Sequence, residues 1–287
     1  HPTLQLQSDL DLVTRLDRLG YDEFWCGEHH STGWEVIASP ELFLAAAAER
    51  SHRIKLGTGV ISLPYHHPYM VAQRLVQLDH QCQGRLIFGS GPGALPSDAH
   101  TLGVDPMCLR DRQDEAMGVI RRLLSGGERF TAESDWFTMR NAKLQLLPYQ
   151  EHMEFAVASM VSPSGMTLAG KHSTGVLSIG SMSQAGIQAL PLQWSFAEES
   201  AMLNGQTVDR SNWRLVLSFH IAETRQEARE QARDGLLRHN NDYTVGMLAA
   251  GVGPIYKTGD EAVDATAFVD NATSVIGTPD DLVKRIR

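Results

Sequence analysis

The 287-residue chain is 42% hydrophobic and 21% charged, a composition typical of a globular protein with a large core. Its formal net charge is -9 and its basic residues are scattered, which argues against nucleic acid as a partner. No apolar stretch approaches the ~20 residues of a membrane helix, and three widely spaced cysteines give neither a disulfide framework nor a CxxC metal site, so we expect a cytoplasmic protein.

Helix-like and strand-like segments alternate along the first part of the chain. In order, the sequence predicts a helix that ends at Gly20, a strand at 23–26, a helix from Pro40, a strand at 54–62, a helix from Pro68 to about Gly84 and a strand at 85–90. Serine or proline at the helix starts and glycine at the helix ends are the usual boundary signals.

The alternation continues in the second part of the chain. The predicted elements are a helix from Pro106 to Leu124, a hairpin-like insertion at 130–146, a strand at 155–159, a helix introduced by Ser162 and Pro163, a strand at 176–179, a helix from about Ala185 to Asn204, a strand at 215–222, a helix from Thr224 to about His239 and a last helix after Thr278. Residues 240–271 show no clear period.

About six strand-helix units without a linker indicate one α/β domain over residues 1–287, built on a parallel sheet. Both a doubly wound sheet and a (β/α)8 barrel fit this pattern, because periodicity does not separate them. A barrel needs eight strands, whereas the first predicted helix has no strand before it and the last has none after it.

Chemistry is expected at residues 24–34, FWCGEHHSTGW, where an apolar strand ends in Glu28, His29 and His30. These residues are too polar for a core, and parallel α/β folds build their sites where strands emerge. Three interpretations stay open: acid/base work by one histidine, a turn cap beside a solvated histidine, and a metal site completed by the histidines at 66–67. Adjacent strand side chains point to opposite faces and no HxH or HExxH pattern occurs, which disfavours the metal.

Two later loops are candidates for ligand binding. GSGPG at 89–93 follows a strand but lacks GxGxxG spacing, and the next residues are not expected to open a helix, so the loop indicates close approach of a ligand rather than a dinucleotide site. SMVSPSG at 159–165 gathers hydroxyls and N–H groups where a strand passes into a helix, which favours an anion such as phosphate. Simple helix capping is the alternative for this second loop.

Five segments, taken in order, resemble the bacterial luciferase-like flavin-dependent monooxygenases, especially the single-chain limonene and alkane types: GYDEFWCGEHHSTGWE, LGTGVISLPYHHP, LDHQCQGRLIFGSGPG, AVASMVSPSG and GTPDDLVKRI. The resemblance covers nearly the whole chain. It implies a (β/α)8 TIM barrel with a small β insertion, whose first strand would precede His1 and whose last would follow Arg287. It also implies a homodimer that binds reduced FMN at the carboxyl ends of the strands.

By position, the resemblance makes His29 the catalytic histidine, which assists a flavin C4a-(hydro)peroxide formed from FMNH2 and O2. The positions it assigns to FMN are Thr58, Gly59, Val60, Gly91, Val157, Ser159, Met160, Ser162 and Ser164. The first three match a strand-end bulge under the flavin ring, where a non-prolyl cis peptide is common; the next two match ring contacts and the last four the phosphate loop. Luciferase itself has an arginine near Pro92 and a glutamate near Ser159, so here hydroxyls and amides must bind the phosphate.

The implied reaction is oxygenation of a small hydrophobic substrate. A separate NAD(P)H:flavin reductase is expected as a partner, because the sequence has no acceptable GxGxxG unit for a nicotinamide cofactor. Four aromatic residues near strand ends are candidates for an apolar pocket: Trp25, Trp34, Tyr65 and Trp194. An F420-dependent oxidoreductase on the same barrel is one alternative, and a non-catalytic flavin-binding relative, disfavoured by the EHH motif, is another.

Overall fold

The computed structural model describes residues 1–245, 259–260, 263, 266–267, 269–270 and 272–287. The helices are α1 Pro2–Leu19, α2 Pro40–Ala48, α3 Pro68–Gln81, α4 Pro96–Thr101, α5 Leu109–Leu124, α6 Ser164–His172, α7 Gln184–Leu203, α8 Arg225–Arg238 and α9 Pro279–Ile286, with a π-helical segment, His239–Val245, after α8. The strands are β1 Glu23–Cys26, β2 Lys55–Thr58, β3 Ile61–Ser62, β4 Leu86–Gly91, β5 Phe130–Glu133, β6 Thr138–Ala142, β7 Glu154–Ser159, β8 Gly175–Ser178, β9 Trp213–Leu215, β10 Phe219–Ile221 and β11 Val275–Gly277.

The main sheet is parallel throughout and follows the order β1-β2-β4-β7-β8-β9, with β3 paired to the end of β4. The predicted insertion is the antiparallel hairpin β5-β6, and β10 forms a separate parallel pair with β11. Along the described residues, β1 and β9 each have one strand neighbour, so the sheet is curled but not closed. The predicted parallel α/β architecture is therefore confirmed, whereas the residues that the structure describes do not form a complete eight-stranded barrel.

Contacts of Arg214 show how strongly the sheet curls. Its guanidinium on β9 makes two hydrogen bonds of 2.6 Å to Glu23 on β1 and one of 2.5 Å to Glu154 on β7. The same guanidinium lies 5.3 Å from the centre of the Trp25 ring, and Lys55 adds an ion pair of 3.1 Å to Glu154. Side chains from the two ends of the sheet thus meet inside the curl, near the amino ends of the strands.

Helices pack on the outside of this sheet. Val71, Leu75 and Leu78 follow the helical period on α3 and are almost fully buried, in the same apolar cluster as Leu56 on β2 and Leu86 on β4. Local boundary signals act as predicted, since α1 ends at Gly20 in the left-handed region and Thr224 caps α8. Within the described residues, no helix has the length and apolar character needed to cross a bilayer.

Two predicted strands are interrupted in the structure. Segment 54–62 forms β2 and β3, with a cis peptide between Gly59 and Val60 at the break. Segment 215–222 divides between β9 in the main sheet and β10, which leaves that sheet to pair with β11. Both interruptions depend on distant partners, because β3 aligns on the end of β4 and β10 on a strand near the end of the chain.

Predictions around two other helices were also wrong. The residues after GSGPG do open a helix, α4, which begins at Pro96. A proline is compatible with this position because the N–H groups of the first helical turn have no partner within the helix, so the missing N–H costs no hydrogen bond. Helix α6 begins at Ser164, with Pro163 in the cap position instead of the first turn. The predicted aperiodic stretch 240–271 starts within the π-helical segment, and most of its remainder lies outside the described residues.

Candidate active site

The predicted site residues lie along the edge of the sheet where the parallel strands end. The N–H of Gly59 donates to the carbonyl of Cys26 at 2.7 Å, which joins the β2 end to the β1 end that precedes His29. A Cβ placed on Gly91 would lie 2.5 Å from Val60 Cγ2, so glycine is needed for the close approach of β4 to the bulge. Three of the predicted ring-binding positions, Gly59, Val60 and Gly91, are therefore neighbours.

His29 has a carboxylate on each side of its ring. Its Nε2 lies 2.9 Å from Glu35 Oε2 and its Nδ1 lies 3.3 Å from Asp98 Oδ2. Burial disfavours the protonated ring, but hydrogen bonds and charge attraction from Glu35 and Asp98 outweigh burial, so the pKa of His29 lies above its ordinary value. A partly exposed histidine that holds a proton near neutral pH is suited to general acid/base catalysis.

Asp98 is firmly fixed beside His29. Its side chain is nearly buried on α4, and its Oδ1 also accepts hydrogen bonds from the His30 N–H at 3.1 Å and from the Ser31 hydroxyl at 2.5 Å. These contacts tie the loop after β1 to the start of α4. Sequence analysis did not identify Asp98, although a carboxylate shortly after the end of a nearby strand is the signal that could have found it.

Glu35 is more exposed and bridges two parts of the chain. Its side chain is 52% exposed, and its Oε2 accepts a hydrogen bond of 2.5 Å from the Tyr243 hydroxyl in the π-helical segment. Burial favours the neutral acid, but the hydrogen bonds from His29 and Tyr243 outweigh it and keep the pKa of Glu35 below its ordinary value. Burial and the neighbouring carboxylate raise the pKa of Tyr243, so the phenol keeps its proton. Neither residue was identified from the sequence.

Glu28 is buried, contrary to the prediction that the polar run lies outside the core. Its Oε1 accepts hydrogen bonds from His30 Nε2 at 2.8 Å and His66 Nε2 at 2.6 Å, and its Oε2 accepts the Ser62 N–H at 2.8 Å. These three donors satisfy the carboxylate, as burial requires. His66 and Ser62 are far from Glu28 in sequence, so local polarity could not reveal this arrangement.

The histidines do not converge on one point. His29 and His30 bond to different carboxylates, and His66 shares a carboxylate with His30. His67 lies apart from them as the N-cap of α3, where its Nδ1 accepts the Tyr69 N–H at 3.2 Å. Over the part of the chain that the structure describes, no three His, Cys, Asp or Glu side chains are arranged to hold a metal ion.

Thr58 belongs to the sheet rather than to its surface. Its fully buried hydroxyl donates to the Gly89 carbonyl at 2.8 Å and accepts the Gly89 N–H at 2.9 Å, which links β2 to β4. The next peptide bond, between Gly59 and Val60, is cis, as the family resemblance implies. Gly59 is exposed and Val60 is partly exposed, so these two residues are the ones that present a surface to a ligand.

Two other predicted cofactor positions are below the surface. Val157 is fully buried in the main core cluster, and the Ser159 hydroxyl, also buried, donates to Gln193 Oε1 on α7 at 3.4 Å. The Ser159 carbonyl accepts the Ile179 N–H at 3.0 Å, so the loop after β8 begins beside the loop after β7. Contact of Val157 or Ser159 with a cofactor stays a prediction.

The accessible part of the predicted phosphate loop lies at the start of α6. The hydroxyls of Ser162 and Ser164 are 2.9 Å apart and partly exposed, and no side chain caps the first turn of the helix. Met160 is exposed beside them. Two hydroxyls and the uncapped N–H groups of a helix form a set of donors that can bind an anion.

Two of the predicted aromatic residues contact His30, next to His29, or Tyr243, the partner of Glu35. Trp34 is exposed, with its ring centre 6.2 Å from that of Tyr243. The ring centres of Tyr65 and His30 lie 6.1 Å apart in an edge-to-face arrangement. These rings give the edge an apolar border. Of the other two predicted aromatic residues, Trp25 lies inside the curl and Trp194 lies in the core.

Comparison with known proteins gives consistent matches over the whole chain. A family model described as luciferase-like monooxygenase matches residues 2–287. Limonene 1,2-monooxygenase from Rhodococcus erythropolis is 49% identical over 285 residues, which cover 98% of this chain and 71% of that protein. The 4-hydroxyprotoasukamycin monooxygenase from Streptomyces nodosus subsp. asukaensis is 45% identical over 289 residues, which cover 100% of this chain and 77% of that protein.

A solved structure shares the fold at lower identity. It is the oxygenating constituent of 3,6-diketocamphane monooxygenase from Pseudomonas putida, described as a type II Baeyer-Villiger monooxygenase in complex with FMN. It matches with a TM-score of 0.78 at 26% identity, over 98% of this chain and 82% of that chain. All four similarities therefore extend over the strand ends described above.

Proposed function

The chain belongs to the luciferase-like monooxygenase family, and we propose that it is a flavin-dependent monooxygenase that uses reduced FMN and dioxygen to oxygenate a small hydrophobic substrate. The match over residues 2–287 confirms the family predicted from the sequence motifs, and the named relatives are monooxygenases, a class of oxidoreductase. The observation that carries the proposal is the protonatable ring of His29, held between Glu35 and Asp98 at this edge of the sheet.

The described residues fit FMN in two respects. The first turn of α6 offers the hydroxyls of Ser162 and Ser164 and uncapped N–H groups to a phosphate. The bulge at Gly59 and Val60 presents exposed backbone and a small apolar side chain, which a flat ring system can approach. The FMN complex of a protein with the same fold supports this choice of cofactor.

In this proposal the protein supplies position and a proton. Reduced FMN, when bound, would supply the electrons that activate dioxygen at the C4a atom of its ring. His29 holds a proton on a ring nitrogen and delivers it to, or removes it from, the reacting oxygen atoms, a contribution of typically ~10² to 10⁴ in rate. Asp98 fixes the orientation of the ring through Nδ1.

An apolar substrate suits the border of this site. Trp34, on the loop that carries His29, is exposed, and Tyr65, which contacts His30, is partly exposed. Aromatic walls with a few polar groups are typical of sites for small apolar molecules. One relative, 49% identical, is named for limonene, which is a hydrocarbon.

We also propose the domain organisation, the partner protein and the oligomeric state. Residues 1–287 would belong to a single domain of the (β/α)8 type, supported by the curl that brings Arg214 on β9 to Glu23 on β1. A separate NAD(P)H:flavin reductase would supply the reduced flavin, and the oxygenase would be a homodimer. Light scattering after gel filtration should give twice the chain mass of 31.6 kDa; a mass of one chain would contradict the dimer.

A turnover assay tests the proposed reaction. The purified protein with FMN, NAD(P)H and an apolar test substrate in air should give no product until a flavin reductase, or photochemically reduced FMN, is added. His29→Ala should lower turnover by ~10² to 10⁴, whereas His30→Ala should lower stability more than turnover, because the His30 ring binds the buried Glu28. The reverse order of the two variants would show that His29 is not the acid/base residue. Product formation from FMN and NAD(P)H alone, with neither a reductase nor photochemically reduced FMN, would contradict a two-component enzyme.

A binding experiment tests the phosphate site. Joint replacement of Ser162 and Ser164 by Ala should weaken FMN at least tenfold, because hydrogen bonds to charged acceptors contribute about 1.5 to 3 kcal/mol each. Riboflavin, which lacks the phosphate, should bind both proteins equally, and Ser195→Ala, exposed on α7, is the matched control. Equal losses for FMN and riboflavin would place the phosphate elsewhere, and tighter binding of F420 than of FMN would favour the hydride-transfer alternative.

A further inference from the structure

The two carboxylates that contact His29 differ in how firmly they are held. Asp98 is nearly buried and also accepts hydrogen bonds from the His30 N–H and the Ser31 hydroxyl. Glu35 is half-exposed on the loop after β1, and its second hydrogen-bond partner is the Tyr243 hydroxyl. Asp98 therefore stays in place whether the His29 ring is protonated or neutral, whereas the position of Glu35 depends on fewer contacts.

The number of N–H groups on the His29 ring decides how many of the two carboxylates it can bind. A protonated ring has an N–H on both nitrogens and can donate to both carboxylates, but a neutral ring has only one N–H. When His29 loses its proton, one carboxylate must face a ring lone pair, and the less firmly held Glu35 is the one that can separate. Nε2 of His29 is then the nitrogen that becomes free for a reactant.

Tyr243 is placed to control that separation. Its hydroxyl donates to Glu35 Oε2, the same oxygen that contacts His29 Nε2. The Tyr243 side chain is 8% exposed and packs against Trp34 and His239, with ring centres 6.2 Å and 5.1 Å away. The hydroxyl is therefore held by the π-helical segment, a kind of helix that is often found at functional sites.

We propose that Glu35 and Tyr243 are positioning residues for His29, in which the Tyr243 hydroxyl holds Glu35 against Nε2 and the π-helical segment thereby controls the protonation and exposure of that nitrogen. This inference rests on the proposed acid/base role of His29. Neither residue needs to touch the reacting atoms, since both act through the imidazole.

The surrounding charges are consistent with this assignment. Among the described residues, the titratable groups that face the His29 ring are Glu35 from its own loop and Asp98 from α4. His239 and Tyr243 of the π-helical segment face Glu35 on its other side. Replacing Glu35 should therefore remove one of two favourable charges from His29 and lower its pKa.

The pKa of His29 can be measured without any cofactor. Histidine-selective ¹⁵N labelling would follow ring titration by NMR in the wild type, Glu35→Gln, Tyr243→Phe and the double variant, with His29→Gln used to assign the signal. We expect Glu35→Gln to lower the pKa of His29 by about one pH unit and Tyr243→Phe to lower it by less. In the double variant, Tyr243→Phe should add nothing, because it acts only through Glu35.

Two substitutions at exposed positions serve as matched controls, and three results would contradict the proposal. Glu199→Gln on α7 and Tyr21→Phe before β1 change the same chemical groups at exposed positions and should leave the His29 titration unchanged. An unchanged pKa in Glu35→Gln would overturn the proposal. A rise in Tyr243→Phe would show that the phenol competes with His29 for the carboxylate, and an additive effect in the double variant would show that Tyr243 acts independently; each would exclude the positioning role of Tyr243.

Turnover measurements separate this inference from the proposed function. If the protein oxygenates a substrate, the pKa in its pH-rate profile should move in Glu35→Gln by the same amount as the NMR titration, while FMN affinity stays within about twofold. The expected titration shifts in a protein that forms no oxygenated product would contradict the proposed function but not the coupling of these side chains. Turnover without the titration shifts would leave the function intact and overturn the coupling.

Discussion

His29 links the stability of the fold to pH. Glu35 and Asp98 raise the pKa of His29 in the folded state, whereas in the unfolded chain it has its ordinary value near 6.5. A raised pKa contributes stability that is fully present below the unfolded value and is lost as pH rises through the folded value. Between the lowered pKa of Glu35 and the raised pKa of His29, both partners are charged and attract each other.

Urea unfolding can test this dependence. The free energy of unfolding of the wild type should exceed that of His29→Gln by more at pH 6 than at pH 9, because the favourable protonated state is progressively lost as pH rises. His52→Gln, at an exposed histidine after α2, is the matched control. A difference that grows towards pH 9 would contradict the raised pKa.

Single residues were predictable where the signal was local or carried by a motif. His29 and its neighbour His30 stand out because an apolar strand ends in them. The burial of Glu28 was missed because its partners, Ser62 and His66, follow other strands. Tyr243 could not be identified, since its hydrogen bond to Glu35 spans 208 residues of sequence and no local pattern marks it.

At the level of elements, Thr58 joins two strands directly beneath the bulge. Thr58→Val keeps the shape of the side chain but removes the hydroxyl, which leaves the N–H and carbonyl of Gly89 without these partners. Unpaired buried polar groups cost about 1 to 3 kcal/mol each, so the free energy of unfolding should fall by at least about 1 kcal/mol. Thr101→Val, at the exposed end of α4, is the control; equal stability of both variants would show that the hydroxyl is dispensable.

The ends of helices and strands were predictable where adjacent residues determine them and not where distant residues do. The end of α1 at Gly20 and the start of α8 at Thr224 were predicted because capping depends on a few adjacent residues. The breaks inside 54–62 and 215–222 were not, because a strand ends where its neighbour stops pairing. The start of α4 was missed because Pro96 argued against a helix, whereas a proline in the first turn is compatible with one.

For the molecule as a whole, the sheet is drawn into a curl by charge as well as by twist. Arg214 is one-fifth exposed and bonds carboxylates from two strands. Burial alone would raise the pKa of Glu23. The hydrogen bonds from Arg214 and Trp25 and the nearby positive charges outweigh burial, so the pKa of Glu23 lies below its ordinary value. The parallel sheet was predictable from the strand-helix alternation. The contact between the outer strands was not, because it depends on how far the sheet bends.

The contact between Arg214 and Glu23 also bears on the order in which the chain folds. It spans 191 residues, so it closes a loop of most of the chain and must form late, after the local strand-helix units. Arg214→Met should therefore raise the unfolding rate roughly tenfold and leave the folding rate nearly unchanged, as stopped-flow fluorescence can measure. Arg225→Met, which breaks an exposed ion pair with Asp281, should change neither rate appreciably. A slower folding rate in Arg214→Met would mean that the two ends of the sheet meet early, and that the curl guides folding instead of completing it.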